Sequence, residues 1–149
     1  MKLFIALPKV VGTLSLALTL GCSGVVDAKD DGKDAAKSYE IATVFEPAAP
    51  KAGAEAFVHF TISPKGDYVL KNETPFKLLL SSPSGVELPK TKFTAEDFVD
   101  PKATAKGVKI PFKAGKGKHA IAGDLTFFLC TVELCERFTD KVTIAVAVD

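Results

Sequence analysis

From Tyr39 onward the chain runs in short stretches where apolar and polar residues alternate. A period of two sets one side of a strand against a core and the other in water. Residues 39–45 predict a first strand, closed by Pro47 and Pro50. Residues 56–62 predict a second, with Val58, Phe60 and Ile62 on one face. Gly66 turns the chain, and Tyr68-Val69-Leu70 predicts a short third strand. Residues 76–80 predict a fourth, ended by the turn chemistry of Ser82-Pro83-Ser84-Gly85. Residues 92–100 carry no clear period, although Thr94 is placed to cap a helical turn over Glu96 and Asp97. Val108, Ile110 and Phe112 share a face of the next strand, and Pro111, which cannot donate to a ladder, suggests an edge position for it. A Gly/Lys turn over residues 114–118 leads to a long strand at 119–129, with Ile121, Leu125, Phe127 and Leu129 inward. Residues 141–148 close the pattern with Val142, Ile144, Val146 and Val148 inward.

Seven or eight short strands, punctuated by Gly and Pro, predict an all-β fold: an immunoglobulin-like antiparallel β-sandwich of about 100 residues, over residues 39–149. The chain before it differs in kind. Residues 22–38 are small and charged, and predict a flexible tether. Residues 1–21 predict a signal peptide: Lys2 and Lys9 give a positive start, and the uncharged residues 10–20 are too short for the roughly 20 needed to span a bilayer. Leu18-Thr19-Leu20-Gly21-Cys22 resembles a bacterial lipobox, with Thr19 departing from the usual aliphatic residue. The resemblance implies lipidation at Cys22 and anchoring to a bacterial membrane in the cell envelope (periplasm). The alternative is an ordinary secretory signal that leaves Cys22 as a free thiol.

Composition narrows the chemistry. At 149 residues and 47% hydrophobic, the chain is one domain and too apolar to be wholly disordered. Removing residues 1–21 takes two lysines and no acids from 19 basic and 18 acidic residues, leaving a formal charge of −1. That opposes binding to nucleic acid through a basic field. The only Met is Met1, and there are two His and no Trp. His59 falls opposite Val58 and Phe60, and His119 opens the long strand; neither has close ligand spacing, so the expectation is surface histidines, with no metal and no cofactor. Six Lys between Lys102 and Lys118 read as a solvated edge. The chain has no G-x-S-x-G, phosphate loop or paired-carboxylate pattern.

The informative chemistry is Cys130-Thr131-Val132-Glu133-Leu134-Cys135, between two strands. A two-residue turn at Val132-Glu133 would pair Thr131 with Leu134 and Cys130 with Cys135, as a non-hydrogen-bonded pair with Cα atoms about 4.5 Å apart. Val-Glu suits a primed turn poorly, so a looser four-residue loop is the expectation; either brings the ends together. In an exported protein the pair is oxidised at rest. Phe128 shares a face with Cys130, and in the tight register Arg137 sits across from Phe128. A cation there favours a thiolate; otherwise Arg137 is a solvated surface charge.

The stretch G-D-L-T-F-F-L-C-T-V-E-L-C (residues 123–135), followed by a Val/Ile strand, resembles the periplasmic N-terminal domain of the transmembrane thiol:disulfide interchange reductase family (DsbD). A weaker likeness extends to G-D-Y-V-L-K-N-E-T-P-F-K-L, residues 66–78. The resemblance implies thiol:disulfide exchange through Cys130 and Cys135 as the catalytic pair. It also implies an aromatic cap loop, for which Phe98 is the candidate, and a partner that is an exported thiol-disulfide protein or a membrane electron donor. Glu136-Arg137-Phe138 stand where that family often has prolines, and its membrane-embedded electron-carrying part is absent. The rival expectation is a non-enzymatic envelope lipoprotein, a binding or assembly module that uses the bridge as a staple.

Overall fold

The computed structural model describes residues 38–149. Among them are eight strands: β1 (Tyr39–Glu46), β2 (Glu55–Pro64), β3 (Lys77–Ser81), β4 (Val86–Glu87), β5 (Lys92–Thr94), β6 (Lys106–Ala114), β7 (Gly117–Cys130) and β8 (Cys135–Val148). A 3-10 turn, Ala95–Asp97, follows β5. The signal, the lipobox cysteine Cys22 and almost all of the tether lie outside the described residues. Among the described residues, no helix is long and apolar enough to cross a membrane.

The strands form two four-stranded sheets, β1-β2-β6-β4 and β5-β3-β7-β8, with every pairing antiparallel. The all-β sandwich is what the alternation predicts. β1, β2 and β6 fall in one sheet and β3, β7 and β8 in the other. The core is made of the inward faces. Val58, Phe60 and Ile62 from β2 and Val108, Ile110 and Phe112 from β6 meet Ile121, Leu125, Phe127 and Leu129 from β7. Gly123 takes an inward slot of β7 because a Cβ there would stand 2.8 Å from Leu80 and 3.1 Å from Val142. The absent side chain lets Leu80 and Val142 close over the strand.

Three expectations are corrected. Tyr68-Val69-Leu70 is not a strand; it makes a single bridge, Val69 to Cys130, because turns on both sides leave no length for a ladder. β8 begins at Cys135 rather than residue 141. Its first half is polar apart from Cys135 and Phe138, so the period is lost there, yet β7 holds it in register throughout. β6 is not an edge strand: it lies between β2 and β4. Pro111 is tolerated on a stretch of β6 that β4, paired only at residues 113–114, does not reach. β4 itself has two residues and no legible pattern. By contrast, the helical turn after Thr94 is present, and the Thr94 N–H donates to Asp97 Oδ2 at 2.9 Å. Burial works against the Asp97 carboxylate, but the Lys90 ammonium and this N–H outweigh it and hold the carboxyl below its ordinary range.

Candidate functional site

The β7–β8 hairpin pairs residue by residue from Gly117 with Val148 up to Cys130 with Cys135. The two cysteines are disulfide-bonded, with Cα atoms 3.9 Å apart. The Cys130 N–H donates to Val69 O at 2.9 Å, and its carbonyl accepts from Val69 N at 2.8 Å. Both groups therefore point away from Cys135, so the cysteines form the closer, non-hydrogen-bonded kind of cross-strand pair. The register is that of the tight turn. The four loop residues, 131–134, are closed by Thr131 N donating to Leu134 O at 2.8 Å. The Thr131 hydroxyl accepts from the N–H groups of Glu133 and Leu134, each at 3.3 Å. That side chain supplies what Val132-Glu133 lack as turn residues.

The two cysteines are not equivalent. Cys130 is 0% exposed, whereas Cys135 is exposed. Val69, Val132 and Leu134 surround the bridge with exposed apolar surface. A groove of about 520 Å³ opens beside it, lined by Asp67, Thr131, Val132 and Glu133. Phe128, half-buried, pairs with the exposed Arg137 two residues along on the face of the bridge, as the tight register predicts. Phe98, the cap candidate, has no described contact with the bridge. It is buried in the core, its ring centroid is 4.9 Å from that of Phe76, and its backbone bridges Val108 of the opposite sheet.

Sequence reasoning misses the aromatic support behind the bridge. Phe138 lies edge-on to Tyr39 at 5.6 Å and to Tyr68 at 6.1 Å, and stacks on Phe127 at 5.6 Å. The Tyr39 hydroxyl donates to Asp140 Oδ2 at 3.0 Å, and the Tyr68 hydroxyl donates to the Glu136 carboxylate. Burial, then the Asp140 acceptor, pushes the Tyr39 phenol up to about 12. The Glu136 acceptor, then burial, raises the Tyr68 phenol. These partners lie 101 and 68 residues apart, so no local motif could reveal them.

The remaining candidates do not assemble. His59 faces outward on β2 and its Nε2 lies 2.9 Å from Glu46 Oε2, which Lys109 also approaches at 2.9 Å. The His59 and Lys109 hydrogen bonds, in that order, hold the Glu46 carboxyl below its ordinary range. His119 sits on the other sheet, 2.8 Å from the carbonyl of Gly115. Among the described residues, no group of three His, Cys, Asp or Glu is placed to hold a metal ion. The lysine run is not uniformly solvated either. Lys106 is buried, and its ammonium donates to the carbonyls of Pro101 and, at 3.0 Å, Ala103. No family model matches the chain, and a search of curated proteins finds no match.

Proposed function

We propose that the domain carries out thiol:disulfide exchange through the Cys130–Cys135 bridge, on an exported protein tethered to a bacterial envelope membrane by lipidated Cys22. The observation that carries the reading is the asymmetry of the bridge: one exposed cysteine and one buried, at an apolar tip. A partner thiolate attacks Cys135 Sγ. A partner–Cys135 disulfide forms as the Cys130–Cys135 bond breaks, and the electron pair leaves on Cys130 Sγ, which takes up a proton. The partner's second thiolate then attacks its own sulfur in the mixed disulfide and releases Cys135. Two electrons move: the partner dithiol becomes a disulfide and the Cys130–Cys135 pair becomes a dithiol. The reverse sequence oxidises the pair. The likeness of residues 123–135 to the reductase family supports the same reading.

The same burial of Cys130 favours the second reading, a binding or assembly module with a structural staple, since a desolvated thiolate is a poor leaving group. One measurement separates the two. The reduction potential of the pair, read by thiol trapping in graded dithiol buffers, is expected well above about −300 mV. A value below that range returns the bridge to a structural role. With the partner supplied in its disulfide form, the Cys135 thiolate of Cys130→Ala is expected to displace a partner thiolate and accumulate a mixed disulfide, and Cys135→Ala to accumulate none.

A further inference from the structure

The groove beside the bridge carries information about the partner's charge. Its charged lining is Asp67 and Glu133, both acidic. Thr131, also in the lining, follows Cys130 directly, and Asp67 stands two residues before Val69, whose backbone is bonded to Cys130. Glu136, next to Cys135, adds a third carboxylate, held by the Tyr68 hydroxyl. Arg137 lies on the other flank, on the face of the bridge and across from Phe128. Carboxylates therefore gather around the turn and Cys135, with Arg137 the cation on the opposite flank. Val69, Val132 and Leu134 add exposed apolar surface around it.

We infer that this tip receives an extended apolar segment of the partner that carries a cationic side chain next to its reactive cysteine, and that it disfavours anionic attackers. The inference rests on the exchange reading. A thiolate is itself an anion, so the acidic groove slows any bare attacker. A cation beside the attacking sulfur cancels that repulsion and gains attraction from Asp67 and Glu133. The apolar rim supplies contact area but no charge preference, so the two contributions can be read separately.

The test reduces the full chain with three small thiols: cysteamine, 2-mercaptoethanol and 2-mercaptoethanesulfonate. Their thiolates are overall neutral, singly negative and doubly negative. Each rate is taken per thiolate and divided by that thiol's rate with an uncharged small disulfide. The expected order is cysteamine, 2-mercaptoethanol, 2-mercaptoethanesulfonate, with about fivefold between first and last at low salt. The spread collapses near 1 M salt, where the screening length is about 3 Å. Asp67→Asn with Glu133→Gln removes most of the spread, and Arg137→Gln widens it. Equal normalised rates, or an order that survives the double substitution, overturn the inference and leave exchange standing. If 2-mercaptoethanol leaves the native bridge intact at concentrations that reduce it in the urea-unfolded chain, exchange itself fails and the inference falls with it.

Discussion

Tyr39 shows how much one side chain does at the first position of β1. Its ring packs edge-on against Phe127, centroids 4.9 Å apart, and its hydroxyl crosses to Asp140 on β8. The phenol is therefore harder to ionise in the folded protein, about 12 against an ordinary 10.0. A group whose folded pKa is raised stabilises the fold fully below its unfolded value and loses that contribution as pH rises through the folded one. Stability should fall between about pH 10 and 12, and Tyr68, shifted the same way, adds to the slope. Tyr39→Phe is expected to flatten that slope, read as the urea midpoint across the window. An unchanged slope would show that the hydroxyl bond does not persist in solution.

The hairpin is the element on which the chemistry rests, and it bears on whether the bridge is a staple. β7 and β8 are each 14 residues long and paired throughout, with Ile121, Leu125, Phe127 and Leu129 facing Val142, Ile144, Val146 and Val148 into the core. Closing a six-residue loop at its tip is worth about 2 kcal/mol in the chain-entropy model. Losing Phe127 from the core would cost about 3–5 kcal/mol. The double substitution Cys130→Ala with Cys135→Ala should therefore lower unfolding free energy by no more than about 2 kcal/mol in urea denaturation and keep the fold. A collapse of the fold would mark the bridge as structural. The same elements show what was legible. β2, β6 and β7 announce themselves because every second residue is apolar and buried. β6 keeps its alternation even though Lys106 fills an inward slot, since loop carbonyls rather than apolar contacts satisfy it. The first half of β8 places Glu136 and Asp140 where apolar residues would signal a strand, and β4 is too short to signal anything. At the site, the cysteine pair and the Phe128–Arg137 register follow from strand geometry and could be read locally. The Val69–Cys130 bonds that hold the buried sulfur's backbone, and Tyr68 on Glu136, join segments more than 60 residues apart, beyond any local pattern. Phe98 lies in the stretch without a period, where sequence offers no face on which to place it.

At the scale of the molecule, the chain enters the sandwich at its disulfide end. Ser38 O accepts from Lys65 N at 2.8 Å, Tyr39 pairs with Pro64, and Tyr68, bonded to Glu136 beside Cys135, follows three residues after Lys65. An anchor at Cys22 would thus hold the disulfide end, rather than the far end near Gly53 and Gly85, toward the membrane. If residues 23–38 form the tether expected from their composition, their reach is about 20–25 Å, at 5–6 Å times the square root of their number. That span is short enough to keep the bridge at high effective concentration for a donor embedded in the same membrane. Substituting Cys22→Ala should leave the reduction potential of the pair unchanged, because the substitution lies outside the sandwich of residues 39–149. It should slow reduction by a membrane-bound dithiol about 10- to 100-fold, the range in which tethering acts. The readout is the fraction of Cys130 and Cys135 trapped as thiols over time in a membrane suspension, for both forms at equal concentration. Equal rates would mean that the partner is a diffusing exported protein, and that the position of the bridge beside the tether has no bearing on electron delivery.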